Sequence, residues 1–321
     1  MSNGQPIPTP LPSSYTNSPY TEIKISHHPA DSPDPTPILI CTLYRPAENN
    51  AFTDIMTDEI EHFFGLASID DRVKAVVLTG QGKFFCPGQD LKQGFRLTGN
   101  GKNETEKNHR DGGGRASLAI NSCTKPTIAA INGHAVGVGI TMTLPCTIRV
   151  VWSGAKIGFV FSQRGVIAEA CSSFFLPRLI GTSRALQLAI TGSVYPANHK
   201  AFDGLFSDLV DRQQDVLPRA LEVAELLAEK TSTVSTFMIR EMFYRGVGSA
   251  EEAHLLESRV MANLRESSDN QEAVDAFMQK RPAKFTGSMQ SDYPPAYPWF
   301  SRVDTKNRPR ADPRTNAKPK L

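Results

Sequence analysis

The pattern of apolar and polar positions predicts strands and helices in alternation over the first two thirds of the chain. Continuous apolar runs at residues 38–44, 73–79 and 148–152 are typical of buried strands. An amphipathic stretch from residue 53 to 66 predicts a helix after the first of them. From residue 216 to 285 the apolar spacing is helical throughout. Alternating strands and helices followed by helices alone predict an α/β core with a helical C-terminal part.

The same pattern divides the chain into four segments. Residues 1–37, rich in Pro, Ser and Thr, are predicted to be a disordered arm with a short strand at residues 20–25. Residues 38–215 form the predicted core, in which the glycine-rich residues 97–115 are expected to be a mobile loop. Residues 216–285 form a helical part that closes the site and contacts other subunits, and residues 286–321 a disordered tail. The apolar positions assigned to those contacts are Leu221, Ala224, Leu227, Val260 and Leu264.

Composition and charge exclude several classes of protein. The formal net charge of +2 is too small to indicate nucleic-acid binding, and no run of 18 apolar residues could span a membrane. The N-terminus has no apolar signal-peptide core. The five cysteines are an odd number and form no CxxC pair, which predicts free thiols in a reducing compartment.

Candidate chemistry lies between residues 125 and 179. Residues 125–139 begin as an apolar strand and end in alternating glycines, and a helical stretch follows. Such a turn brings backbone N–H groups to a helix N-terminus, where they can face an anion. Thirty residues after this turn, Glu169 is flanked by small and apolar residues. These surroundings predict a carboxyl group with a raised pKa, as a general base near neutrality requires.

Three blocks of sequence resemble the crotonase (enoyl-CoA hydratase/isomerase) superfamily. They are Phe85-Cys-Pro-Gly-Gln-Asp-Leu91, Lys125-Pro-Thr-Ile-Ala-Ala-Ile-Asn-Gly133 with its turn Gly137-Val-Gly139, and the segment at residues 191–210. The resemblance runs from about residue 38 to residue 285. It implies an α/β fold, a crotonase-like spiral of ββα units with a helical C-terminal part.

The resemblance also implies a site for acyl-CoA thioesters. The backbone N–H groups of Gln89 and Val138 are expected to form an oxyanion hole for the thioester oxygen. Substrate contacts are expected at Ala51, Phe52, Cys86, Gly88, Asp90, Leu91, Gly137 and Phe161.

Within this superfamily the acidic residues decide the reaction. Hydratases resemble one another in two glutamates, and their positions are occupied here by Thr141 and Phe161. Glu169, followed by Ala-Cys-Ser-Ser, instead resembles the single catalytic glutamate of peroxisomal Δ3,Δ2-enoyl-CoA isomerases. The expected activity is isomerisation of 3-enoyl-CoA to trans-2-enoyl-CoA. The resemblance implies no metal or redox cofactor, and coenzyme A is part of the substrate.

Several alternatives stay open from the sequence. In the same superfamily they are a dienoyl-CoA isomerase and a hydratase-like enzyme of a specialised biosynthetic pathway; in another class, a non-catalytic acyl-CoA-binding protein. Relatives form trimers or dimers of trimers, which predicts a homo-oligomer, either trimer or hexamer. The terminus Pro319-Lys320-Leu321 resembles a peroxisomal address. The expected location is therefore the peroxisome, with an import receptor as a partner, and the alternative is the cytoplasm.

Overall fold

The computed structural model of the protein describes residues 10–30, 32–92 and 109–305. Its strands are β1 Ile23–His28, β2 Ile38–Leu43, β3 Ala75–Gly80, β4 Phe84–Cys86, β5 Thr127–Ile131, β6 His134–Val136, β7 Ile148–Trp152, β8 Lys156–Gly158, β9 Val194–Pro196 and β10 Asp208–Val210. Its α-helices are α1 Asp54–Ile69, α2 Gly112–Ser122, α3 Val138–Thr141, α4 Ser172–Ile180, α5 Thr182–Thr191, α6 Val216–Lys230, α7 Thr233–Arg245, α8 Ala250–Arg265 and α9 Ser268–Gln279. The predicted α/β architecture with a helical C-terminal part is confirmed.

Two sheets make up the core. The larger has the strand order β1-β2-β3-β5-β7-β10, and the smaller has the order β4-β6-β8-β9. In the larger sheet only the β1–β2 pair is antiparallel. Successive strands of the chain pass from one sheet to the other, since β3, β5 and β7 of the larger sheet precede β4, β6 and β8 of the smaller. This alternation sets the carboxyl ends of β4 and β6 side by side.

Both faces of the larger sheet are buried, as the continuous apolar runs of its strands predicted. Alternate side chains such as Ile40, Val77 and Ala130 pack against α6. The intervening side chains, such as Cys41 and Leu78, face the main core, in which α1 also lies. The period of two along each strand therefore separates two apolar layers across one sheet.

Helix α1 begins where its cap predicts. The Thr53 hydroxyl accepts a hydrogen bond from the Met56 N–H at 3.0 Å, which satisfies one of the unpaired amides of the first turn. The helix buries Ile60, Phe63 and Phe64 in the main core. It ends at Ile69, three residues beyond the predicted end. Its exposed side carries acidic residues that anchor α2, described below.

The terminal segments are more ordered than the sequence predicted. Strand β1 pairs along its whole length with β2, and Tyr15 is fully buried, with its hydroxyl 3.0 Å from Asp70 Oδ2. Residues 286–305 form no helix or strand, yet Met289 is buried and Trp299 Nε1 donates to the Arg245 carbonyl at 2.9 Å. The prediction of disorder is thus wrong for the described parts of both segments. Residues 1–9 and the Pro319-Lys320-Leu321 signal lie outside the described residues.

The residues predicted for subunit contacts pack within the chain itself. Ala224 is buried against the larger sheet, and Leu221 and Leu227 pack beside it. Val260 is buried and Leu264 partly buried in a third cluster with α7. Ala224 and Val260 thus face their own core, while subunit contacts at Leu221, Leu227 and Leu264 and the oligomeric state stay predictions. Within the described ranges, no helix is both long and apolar enough to cross a bilayer.

Candidate active site

Two glycine turns meet at the carboxyl ends of β4 and β6. The strands pair in parallel, with Cys86 opposite Ala135. Gly88 has a φ of 110° and Gly137 a φ of 57°, values that favour glycine. A Cβ on Gly139 would lie 2.0 Å from the Cys86 carbonyl oxygen, so only glycine allows the second turn to approach the first this closely. The structure thus brings together the two turns that the sequence pattern singled out.

Each turn carries a backbone N–H that makes no hydrogen bond within the neighbouring strand pair or helix. Phe52 pairs in parallel fashion with Gln89: its N–H donates to the Gly88 carbonyl, and its carbonyl accepts from the Asp90 N–H, both at 2.9 Å. In such a pairing the N–H of Gln89 itself points away from Phe52. Val138 is the first residue of α3, and a first-turn N–H has no carbonyl one turn earlier. Both predicted oxyanion donors therefore have the local geometry that the role requires.

The first turn is held by a network of polar side chains. Arg45 Nη2 lies 3.0 Å from Asp90 Oδ2, and Arg45 Nη1 donates to the Ala51 carbonyl at 2.5 Å. Asp90 also accepts a hydrogen bond from the Lys92 N–H at 3.0 Å. The Asp90 carboxylate is thus occupied in fixing the turn. Of the other predicted substrate contacts, Phe52, Cys86 and Phe161 are buried, and Leu91 is 63% exposed.

Glu169 lies in a tight turn rather than inside a helix. Helix α4 begins only at Ser172, three residues after Glu169. Ala170 and Cys171 both have a φ of 57°, a conformation that costs a non-glycine residue of order 1–3 kcal/mol. The Ser172 N–H closes the turn on the Glu169 carbonyl at 3.0 Å. This strained turn directs the Glu169 side chain towards α2 and α3.

The Glu169 carboxyl group contacts both of these helices. Thr141 Oγ1 of α3 donates a hydrogen bond to Oε1 at 2.9 Å. On α2, a Cβ on Gly113 would lie 1.8 Å from Glu169 Oε2 and 3.0 Å from Val138 Cγ2. The carboxyl group is therefore beside the second glycine turn, one helical turn from the N–H of Val138. This proximity brings the predicted base and one predicted oxyanion donor together in one place.

A second carboxyl group, that of Asp111, lies against Glu169. The two side chains are within hydrogen-bonding contact. Burial and the Asp111 charge raise the pKa of Glu169 to about 8, while the Thr141 hydrogen bond opposes that rise. The raised pKa expected from the sequence is thus present, but the apolar neighbours are only part of its cause.

Asp111 went undetected because its segment looked like a loop. It precedes three glycines, and the sequence interpretation assigned residues 97–115 to a mobile loop. In the structure Asp111 is the N-cap of α2 and accepts a hydrogen bond from the Gly114 N–H at 2.5 Å. That part of the loop prediction is wrong, and residues 97–108 lie outside the described residues. An Asp three positions before an N–H donor, ahead of apolar residues at helical spacing, was the available signal.

Two thiols, those of Cys86 and Cys171, also lie near the Glu169 carboxyl group. Burial raises the pKa of Cys86 to about 12 and that of Cys171 to about 11, and the Glu169 charge adds to both rises. Both thiols are therefore protonated near neutral pH. Within residues 10–30, 32–92 and 109–305, no group of three or more His, Cys, Asp or Glu side chains is arranged to hold a metal ion.

Comparisons with known proteins place most of the chain in one family. A family model described as enoyl-CoA hydratase/isomerase matches residues 35–288. The chain is 45% identical over 276 residues to the enoyl-CoA hydratase ACTT3 of Alternaria alternata, covering 86% of this chain and 90% of that protein. It is 30% identical over 268 residues to the 1,2-epoxyphenylacetyl-CoA isomerase of Escherichia coli, covering 78% and 95%. A crystal structure of the enoyl-CoA hydratase of Bacillus anthracis superposes with a TM-score of 0.72 at 24% identity, covering 84% and 100%.

Proposed function

The chain belongs to the enoyl-CoA hydratase/isomerase family, and we propose that it isomerises 3-enoyl-CoA to trans-2-enoyl-CoA with Glu169 as the base. The observation that carries this proposal is the position of the Glu169 carboxyl group beside Val138 and the second glycine turn. Neither Thr141 nor Phe161 can replace the glutamates of a hydratase at those positions. The identity of the reaction therefore depends on what the half-buried Glu169 carboxyl group can do.

The proposed reaction moves one proton between two carbons. Glu169 takes a proton from C2, and the electrons of that C–H bond form a dienolate across C1 to C4. Negative charge collects on the thioester oxygen, where the N–H groups of Gln89 and Val138 would stabilise it. Donors of this kind contribute roughly 3–4 kcal/mol each in comparable sites. The protonated Glu169 then delivers the proton to C4, which leaves the double bond between C2 and C3.

The half-buried environment of Glu169 suits this sequence of steps. A carboxyl group with a pKa of about 8 is a stronger base than an ordinary glutamate, and it can also return the proton. Ala170 and Val138, both buried, limit the access of water to it. Water would otherwise compete for the proton or add to the product.

Hydration of trans-2-enoyl-CoA is a second candidate, favoured by one specific observation. Asp111 supplies a second carboxyl group in contact with Glu169. Hydration needs one group to activate water and another to protonate C2, and such a pair can do both. The relatives at 44–45% identity from Alternaria alternata carry the name enoyl-CoA hydratase, which supports the same candidate.

Product mass separates the two reactions. The full-length protein is incubated in turn with 3-enoyl-, trans-2-enoyl- and dienoyl-CoA thioesters, and the products are analysed by liquid chromatography and mass spectrometry. Isomerisation shifts the retention time at unchanged mass, and this is the expected result with 3-enoyl-CoA. Faster formation of a product heavier by one water from trans-2-enoyl-CoA would establish the hydratase instead. Binding without turnover of any thioester would support the non-catalytic alternative.

A further inference from the structure

A cluster of largely buried ionic groups joins the N-terminal arm to the first glycine turn. Arg45 lies between two carboxylates: its Nε is 3.2 Å from Glu22 Oε1, and its Nη2 is 3.0 Å from Asp90 Oδ2. The side chains of Arg45, Glu22 and Asp90 are 15%, 13% and 7% exposed. Ion pairs so far removed from water are screened much less than surface pairs. The cluster is therefore a fixed part of the fold rather than a mobile surface contact.

The Arg45 guanidinium has a different partner at each of its three nitrogens. Nε faces Glu22, Nη1 donates to the Ala51 carbonyl at 2.5 Å, and Nη2 faces Asp90. A guanidinium is planar and rigid, so fixing one of its nitrogens fixes the directions of the other two. Asp90 follows Gln89 in the chain, and Ala51 directly precedes the residue that pairs with Gln89. The orientation of Arg45 therefore helps to set the position of the Gln89 N–H.

Glu22 is itself held at both its backbone and its side chain. Its N–H donates to Glu59 Oε2 of α1 at 2.9 Å, and its carbonyl accepts from the Tyr44 N–H at 2.7 Å. Its second carboxylate oxygen accepts a hydrogen bond from the hydroxyl of Thr53, the N-cap of α1. These contacts leave the Glu22 carboxylate little freedom to move. It can therefore hold Arg45 in one orientation.

We propose that Glu22 is a positioning residue for the oxyanion hole: it holds the Arg45 guanidinium in the orientation that fixes the turn carrying the Gln89 N–H. This inference rests on the proposed role of Gln89 as an oxyanion donor. Glu22 precedes residues 35–288, which the family model matches. The N-terminal arm, predicted from its composition to be disordered, thus contributes to the geometry of the site.

The proposal predicts which kinetic constant depends on Glu22. The thioester oxygen carries little charge in the bound substrate and much more in the dienolate. A misplaced N–H therefore weakens binding of the transition state more than binding of the substrate. A loosened Arg45 should lower kcat and leave KM nearly unchanged. A Glu22 that only stabilises the fold would lower the melting temperature without this difference between kcat and KM.

Four variants separate positioning from stability. Glu22→Ala removes both carboxylate oxygens and should lower kcat roughly tenfold, less than the 10²–10³-fold typical of deleting an oxyanion donor. Glu22→Gln keeps an oxygen that can accept from Arg45 Nε, so it should recover most of the rate. Arg45→Lys keeps the cation, but one ammonium group cannot reproduce the three fixed contacts, and kcat should fall as in Glu22→Ala. Combining these two changes should add little, because the residues act as a unit.

Tyr15→Phe is the matched control for the arm. It removes another buried hydrogen bond of the same segment, from the Tyr15 hydroxyl to Asp70 Oδ2 at 3.0 Å, and leaves Arg45 and its partners intact. Its melting temperature should fall, whereas kcat and KM should stay at the wild-type values. Arg45→Lys and Glu22→Gln provide the test if Glu22→Ala does not fold.

The carbonyl stretching frequency of bound butanoyl-CoA, measured by infrared difference spectroscopy, gives a readout without turnover. This saturated thioester has no double bond to move or hydrate, and hydrogen bonds to its carbonyl oxygen lower the frequency. The wild type and Tyr15→Phe should lower it equally, and Glu22→Ala and Arg45→Lys should lower it less. If the wild type lowers the frequency yet does not isomerise 3-enoyl-CoA, isomerisation is contradicted and the frequencies of the variants still decide the inference. Wild-type frequencies in both Glu22→Ala and Arg45→Lys, or an equal change in Tyr15→Phe, would overturn it.

Discussion

At the scale of single residues, the basicity of Glu169 results from opposing neighbours. Burial and the Asp111 charge raise its pKa, and the Thr141 hydroxyl lowers it. Thr141 stands where a hydratase has a glutamate, and from sequence it reads as the loss of a catalytic group. In the structure its hydroxyl donates a hydrogen bond to Glu169 and stabilises the ionised form of that carboxyl group. Its substitution should therefore raise the pKa of Glu169 further and move the pH profile upward.

Thr141→Val removes the hydroxyl while preserving shape. A hydrogen bond to a charged group contributes roughly 1.5–3 kcal/mol, equivalent to about 1–2 pH units. The folded-state pKa of Glu169 should rise by about that amount, so less of it is ionised at neutral pH. We expect the pH midpoint of kcat to move upward and the rate at pH 7 to fall about tenfold. Thr143→Val is the matched control, because Thr143 is equally buried but donates to the Ile140 carbonyl. A midpoint that stays fixed, or moves equally in both variants, would contradict this role.

The two acids of the site differed in how far sequence could reveal them. Glu169 was found because its neighbours resemble a known catalytic block. Asp111 was missed because Gly112, Gly113 and Gly114 have low helix propensity, which makes a loop the natural interpretation. Tertiary contacts override that propensity, since Arg115 and the buried face of α2 hold the helix against α1. The contact between the two acids, 58 residues apart, is not encoded in any local pattern.

At the scale of elements, the first turn of α2 is shaped to admit the base. A Cβ on Gly113 would occupy the position of Glu169 Oε2, so this helix requires glycine where it faces the site. The cost in helix propensity is offset by the Asp111 cap and the packing against α1. At this position the space needed by Glu169 requires a residue that lowers the stability of the helix, as is common at active sites.

Gly113→Ala tests this arrangement. The methyl group forces the Glu169 carboxyl group aside, and a shift of about 1 Å at a reacting group can cost roughly 10²-fold in rate. The helix itself should gain up to about 1 kcal/mol from the substitution, so the protein should remain folded. Gly65→Ala in α1 is the matched control, since its Cβ meets nothing within 4 Å. Steady-state rates and thermal melts of both variants check the prediction. Full activity in Gly113→Ala would show that the carboxyl group is not confined as described.

Elements with strong periodicity were predicted well, and short ones were not. Strand β7 was predicted with its observed bounds, and β2, β3 and α1 within three residues. The turn at residues 168–171 was not predicted, because left-handed conformations at Ala170 and Cys171 have no sequence signature. Such conformations are imposed by the surrounding fold. The least predictable elements are thus those that direct side chains into the site.

At the scale of the whole molecule, the terminal segments act as part of the core. Composition predicted disorder for both, since they are rich in proline and poor in apolar runs. Strand β1 nevertheless forms an edge of the larger sheet, and His28 Nε2 lies 2.8 Å from Glu225 Oε1 on α6. Tyr297 packs edge-on against Phe237 of α7. A few large residues with distant partners were sufficient to order these segments, and their partners lie too far along the chain for a local pattern to identify.

The outer surface of the helical C-terminal part exposes several large apolar side chains. Phe243, Phe277 and Met278 are 84%, 82% and 74% exposed. Phe243 lies on α7, whereas Phe277 and Met278 are neighbours on α9. These exposed residues are further candidates for the contacts of the predicted trimer or hexamer. Peroxisomal location likewise stays a prediction.

The central claim is that Glu169 moves the proton, and turnover by Glu169→Gln tests it most directly. Glutamine keeps the size and hydrogen bonding of the side chain, so KM for 3-enoyl-CoA should stay close to the wild-type value. Loss of a positioned acid/base should lower kcat at least 10²–10⁴-fold, roughly the usual range. Glu225→Gln, which alters an exposed glutamate on α6, should leave kcat unchanged. Near-normal isomerisation by Glu169→Gln would contradict the account.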